Sequence, residues 1–158
     1  MEKHKVIAVL FTVCILSLTV MVLALCWGQP EAEFVQPPFE PTAQRGIPEV
    51  PEGLGYQKLD AQAFRVALCG ELHVRDGGAE VWFTNPEDNA VWLKLRVLDE
   101  DGQLLGETGL LRPGEYVRQV VLTENGRDTP VALKVMAYEP GTYYSAGSVV
   151  LHTRITVE

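Results

Sequence analysis

Two regimes of apolar patterning divide the 158-residue chain. Residues 6–27 (VIAVLFTVCILSLTVMVLALCW) are apolar or weakly polar without a break and hold no charge, proline or glycine. At ~1.5 Å rise per residue a helix of that length runs ~33 Å, enough to cross a ~30 Å hydrocarbon core. From Phe64 onward the period is two: Phe64, Val66, Leu68, Gly70, Leu72 and Val74 alternate with Arg65, Ala67, Cys69, Glu71 and His73. That alternation predicts a strand with one buried face. Similar runs predict strands over 79–84, 91–98, 103–108, 116–122, 131–138 and 148–157. Turn-forming groups separate them: Asp76-Gly77-Gly78, Asn85 to Asn89, Asp101-Gly102, Arg112-Pro113-Gly114, Asn125-Gly126 and Glu139-Pro140-Gly141. No helical stripe appears in this region. Seven short strands without helices predict an all-β fold, a seven-stranded immunoglobulin-like β-sandwich behind an N-terminal transmembrane helix. The Cys…Trp…Cys spacing of antibody domains is missing, which favours a fibronectin-like variant, with a small closed barrel as the alternative.

Between the two regimes, residues 29–55 hold six of the ten prolines and neither period. This composition predicts a semi-rigid extended stalk, roughly 80 Å at full stretch. Pro38 and Pro41 also form a PxxP spacing, the mark of a proline-rich ligand, although stalk composition alone accounts for it. The expected layout is a cytoplasmic end (1–5), a transmembrane signal anchor (6–27), a Pro-rich acidic stalk (28–55) and a β-sandwich domain (56–158).

Charge supplies an orientation. Lys3 and Lys5 precede the apolar run, and no base follows it until Arg45. Positive-inside logic places the N-terminus in the cytoplasm and residues 28–158 outside the cell membrane. Trp27 would then lie at the outer headgroup level. A cleaved signal peptide and a lipoprotein signal ending at Cys26 are the competing readings. The run is long for the first, and Leu25 stands where the second needs a small residue. Residues 28–158 carry 11 Lys+Arg against 20 Asp+Glu, a formal −9. That balance repels nucleic acid. Of the three cysteines only Cys69 falls in the predicted domain, so no internal disulfide can staple it and apolar burial must supply its stability.

Chemistry-bearing motifs are sparse. Cys69 and His73, four apart on one strand, would sit ~13 Å from each other, too far for a nucleophile–base pair. No spacing of His, Cys or acids matches a metal site, and Asp99-Glu100-Asp101-Gly102 reads as a hairpin turn before it reads as a calcium loop. No nucleophile elbow or phosphate loop occurs. The expectation is a non-enzymatic protein without a cofactor. The strongest functional candidate is a surface. If Val91, Leu93, Leu95 and Val97 face the core, then Trp92, Lys94 and Arg96 face outward. By the same parity so do Lys134, Met136 and Tyr138, and Val150, His152 and Arg154. In an immunoglobulin-like sandwich these three strands share one sheet. Trp92, Lys94, Arg96, Lys134, Met136, Tyr138, His152 and Arg154 would form a basic, aromatic patch on an acidic domain, suited to a protein or glycan partner. Exposed sheet faces also carry aromatics and long bases simply to cover themselves. Trp82, outward on its own strand, belongs to a different patch.

Asn85-Pro86…Asn89, Leu93 to Val97, Asp101-Gly102, Leu111-Arg112-Pro113-Gly114-Glu115 and the closing Ile155-Thr156-Val157 together resemble small bacterial surface proteins. Members of this group, some from Gram-positive bacteria, carry one immunoglobulin-like domain on a short stalk behind a membrane helix. The likeness spans roughly residues 64–158. It implies extracytoplasmic adhesion or assembly and supplies no catalytic residue. The function expected is a single-pass, membrane-tethered binding or structural module. The alternative is a spacer or accessory subunit of a cell-envelope secretion or conjugation complex, in which the helix makes the contacts.

Overall fold

A computed structural model describes residues 2–26, 34–123 and 128–157. The chain forms two compact units, Met1–Val35 and Gln36–Glu158. Trp27 and the Asn125-Gly126 turn lie outside the described residues.

The first unit is a single helix, α1 (Glu2–Cys26). Its Glu2–Leu23 stretch is long and apolar enough to cross a membrane, a property that a signal sequence near an N-terminus shares. It is apolar on every side, the pattern of a helix surrounded by hydrocarbon. Its hydroxyls are satisfied internally. Thr12 Oγ1 donates to the Ala8 carbonyl at 2.8 Å and Thr19 Oγ1 to the Ile15 carbonyl at 2.6 Å. In lipid, where water offers no alternative partner, such back-bonding removes the cost of a buried hydroxyl.

The second unit is β throughout. Its ten strands are β1 (Gln44–Arg45), β2 (Tyr56–Asp60), β3 (Arg65–Cys69), β4 (Leu72–Arg75), β5 (Gly78–Asn85), β6 (Trp92–Leu98), β7 (Leu104–Glu107), β8 (Glu115–Val121), β9 (Thr129–Tyr138) and β10 (Ser145–Val157). They form one curled mixed sheet in the order β1-β8-β5-β4-β10-β9-β6-β7, with β3 joining β5 and carrying β2 at its side. All ladders are antiparallel except β4 with β10, where Leu72, His73 and Val74 run alongside Ile155, Thr156 and Val157. Curling brings the inward faces of β3, β5 and β8 against those of β6 and β9. Val66, Leu68, Val81, Phe83, Val117, Leu93, Leu95, Val97, Leu133 and Val135 fill one core there. Leu93, Leu95, Val97, Leu133 and Val135 among them are positions that period-two patterning assigned to the inside.

The described strands outnumber the seven expected, for two physical reasons. First, the predicted run over 64–74 breaks at Gly70-Glu71. A Cβ on Gly70 would meet Gln57 Nε2 at 2.7 Å, and the Gly70 amide donates to the Gly55 carbonyl at 2.9 Å. Both halves of the run pair with β5, but β3 has β2 on its other side and β4 has β10. Second, residues 36–55 are not a free stalk; they belong to the folded unit. Leu110 N donates to the Pro38 carbonyl at 2.9 Å, Glu40 N donates to the Leu110 carbonyl at 3.0 Å, and β1 pairs with β8. Further along, Leu54 joins Cys69 and Trp82 in a second small core on the outer side of β3 and β5. This covering explains why all eight residues of β5 are buried, on both faces. Proline carbonyls remain good acceptors, so a Pro-rich segment can bond through them and through the amides between.

Gly109 is what lets the lead-in lie so close. A Cβ there would fall 2.4 Å from the Glu40 nitrogen and 2.7 Å from the Phe39 carbonyl carbon, both backbone. Gly109→Ala is expected to cost about 1–3 kcal/mol as an overpacking change. It should also loosen residues 36–47, which is read as faster tryptic cleavage after Arg45. An unchanged cleavage rate would mean that the lead-in does not depend on this contact.

Candidate interaction face

Because Leu93, Leu95 and Val97 point inward, the alternate residues of β6 point outward, and the ladder register extends the face across the sheet. Trp92 stands opposite Tyr138, Lys94 opposite Met136 and Arg96 opposite Lys134. On the next strand Lys134 stands opposite Val150, Ala132 opposite His152 and Pro130 opposite Arg154. Trp92, Lys94, Arg96, Lys134, Met136 and Tyr138 thus form one block. His152 and Arg154 continue it toward the start of β9.

The block is less open and less basic than its sequence suggests. Lys94 is only 5% exposed, and its Nζ lies 2.8 Å from Glu107 Oε1 on β7. Arg96 Nε lies 2.9 Å from the other oxygen of the same carboxylate. Burial pushes the Glu107 carboxyl up, but hydrogen bonds and charge from Lys94 and Arg96 outweigh it and hold the group below its ordinary value. One glutamate therefore engages two of the bases counted toward the patch and cancels one of their two charges. Trp92 is also engaged within the chain. Its ring meets Phe39 edge-on at 4.9 Å and Tyr143 at 5.2 Å, and the Arg112 guanidinium sits 3.6 Å above Phe39. Tyr138 Oη lies 3.7 Å from Met136 Sδ. Half-buried Lys134, Met136 and Tyr138 and exposed His152 and Arg154 are what the face offers to a partner.

Glu107, Phe39 and Tyr143 are among the residues that sequence reasoning missed. Glu107 carried a signal, since it has the outward parity of β7 across a hairpin from Arg96. Phe39 carried none, because it lies in a segment without periodicity.

The remaining candidates resolve locally. Cys69 and His73 stand on different strands, β3 and β4. Burial first, then the Glu80 carboxylate, pushes the Cys69 thiol up to about 12, so it is protonated at neutral pH. Trp82 is buried beside Cys69, not part of an open patch. It stacks on Tyr116 with centroids 6.3 Å apart, and Arg118, bonded to buried Glu80 at 2.7 Å, passes 5.3 Å from its ring. Asp99 Oδ1 accepts from the Asp101 and Gln103 amides at 2.9 and 2.7 Å, closing the hairpin turn. Among the described residues no group of three or more His, Cys, Asp or Glu side chains could hold a metal ion. No family model matches this chain, and no curated protein or solved structure was found to be similar to it.

Proposed function

We propose that the chain is a single-pass, membrane-tethered binding module whose β unit lies outside the cell and docks a protein or glycan through the outer face of β6, β9 and β10. The observation that carries this reading is the ladder register that joins Lys134, Met136 and Tyr138 to His152 and Arg154 on one face of an otherwise acidic unit. Aromatic, Met and Arg side chains of this kind are enriched at interface centres. The apolar helix and the lysines before it support the topology. An immunoglobulin-like arrangement is supported by two features. β5 pairs with β8 while β6, β9 and β10 are contiguous, and a short strand runs parallel to the last one. Residues 36–55, the larger part of the expected stalk, belong to the folded unit.

The test is capture on intact cells with a membrane-impermeant amine cross-linker, comparing the native chain with Tyr138→Ala/Arg154→Glu. Loss of each anchor at an interface centre is worth about 1–2 kcal/mol, so capture should fall about tenfold or more. Equal capture by a folded double variant would remove this face as the docking site. No labelling from outside would remove the topology.

A further inference from the structure

Ser148–His152 of β10 present an unguarded sheet edge. β9 pairs with β10 along Ser145–Ile155, whereas on the other side β4 reaches only Ile155–Val157. Among the described residues no strand pairs the outer edge of 148–152. The cause is the break at Gly70. β4 lies between β5 and β10, whereas β3 keeps β5 on one side and has β2 on the other, which leaves this stretch of β10 without a neighbour. The open stretch is bounded at both ends. Gly147, at φ 112°, interrupts the extended backbone on one side, and the Thr153 hydroxyl donates to the Gly70 carbonyl on the other.

Proteins protect such edges with lysine, proline, shortness or a cover. The other edges here comply. β7 has four residues, and its Leu105 carbonyl accepts from the Thr123 amide at 2.7 Å. β1 has two residues, and β2 carries Lys58 and Asp60. Residues 145–153 (SAGSVVLHT) contain no Lys, Arg, Asp, Glu or Pro, in a chain of formal charge −8. Val150 in their middle is 46% exposed.

We infer that this edge pairs with the same edge of a second copy, antiparallel about a two-fold axis at Val150. The sequence is self-complementary in that register. Val150 meets Val150 of the second copy, Val149 meets Leu151, and Ser148 meets His152, so no formal charge faces a like charge. Centring the axis on Val149 would instead set Leu151 against the irregular Gly147. Antiparallel strands of one identical sequence satisfy both copies' unpaired amides and carbonyls at once, and an isologous contact closes as a dimer. The two outer faces then become one continuous surface with two sets of Lys134, Tyr138 and His152, a bivalent display. The pairing gains from confinement in a membrane and to that extent rests on the topology proposed above.

The test uses the full chain in its native membranes with Cys14→Ser and Cys26→Ser; buried Cys69 stays. Sedimentation with the membrane fraction is checked first, so that failure of the anchor reading is seen separately. Under mild oxidation Val150→Cys should form a disulfide dimer. Ser148→Cys alone should not, because its own counterpart lies ~13 Å away, four residues along the strand. Differently tagged Ser148→Cys and His152→Cys copies should cross-link to each other about tenfold better than either to itself, since directly opposed Cβ atoms are within disulfide reach. Absence of the Val150→Cys dimer, equal yields from all three pairings, or capture of Val150→Cys on a different protein would each overturn the inference.

Discussion

Replacing Asn85 by alanine should destabilise the β unit by about 3 kcal/mol, one of the largest effects of any polar side chain in it. Asn85 ends β5 and is fully buried. Its Nδ2 donates to the carbonyls of Val91 and Leu111, both at 2.9 Å. Its Oδ1 accepts from Asn89 Nδ2 at 2.7 Å, and Asn89 also clasps the Arg65 backbone, donating to its carbonyl at 2.5 Å and accepting from its amide at 2.9 Å. The two asparagines thus fasten the β5–β6 loop to β3 and to the segment before β8. After truncation the Leu111 carbonyl keeps the Leu93 amide at 3.0 Å, so the main penalty falls on the Val91 carbonyl and on the loosened loop. Leaving such a buried group unpaired costs ~1–3 kcal/mol, and the lost neighbouring bonds add to it. Asn85→Asp separates hydrogen bonding from cavity formation. It keeps the shape but presents oxygen to two carbonyls, so it should cost more at neutral pH than in mild acid, where one proton restores one donor. Urea unfolding followed by Trp82 and Trp92 fluorescence measures both. A loss below about 1 kcal/mol for the alanine variant would show that water replaces the amide.

The Asn85–Asn89 network shows where sequence is informative and where it stops. The turn composition marked this loop, but only the fold shows that its amides serve residues 26 positions away. Inward parity was legible for β6 and β9, whose Leu93, Leu95, Val97, Val131, Leu133 and Val135 lie in the core. The break at Gly70 was not, because the pattern runs on through it and the Gly55 carbonyl that takes the Gly70 amide lies in a segment without periodicity. The lead-in was not legible either. Its prolines suppress any period, and its contacts are single carbonyls, β1 and the Phe39 ring, none of which repeats. On the candidate face, the eight residues and their shared side followed from parity. That Lys94 and Trp92 are already engaged depends on β7 and Phe39 crossing their strand, a matter of register and of distant sequence.

Removing the Glu107 side chain is the second large change, about 2–3 kcal/mol for Glu107→Ala. Lys94 is buried and would lose the carboxylate at 2.8 Å. Breaking a fully buried pair costs about 3–5 kcal/mol; here roughly a third of Glu107 remains open to water, which lowers the figure. Lys94→Met/Glu107→Leu should recover most of the loss, since it leaves no charge behind. The pH dependence follows from the direction of the shift. Burial alone would raise the Glu107 carboxyl, yet the bonds and charges of Lys94 and Arg96 leave it lower in the folded unit than in the unfolded chain. Its contribution is therefore complete above the unfolded value of about 4.3 and fades as pH falls through the folded value. The deficit of Glu107→Gln relative to the native chain should hold constant from about pH 5 to 8 and shrink below about pH 4. The same variant frees Arg96 on the outer face, so it should bind an acidic partner more tightly even as it loses stability. A deficit that persisted undiminished in acid would mean that the side chain acts through packing on β6 and not through its charge.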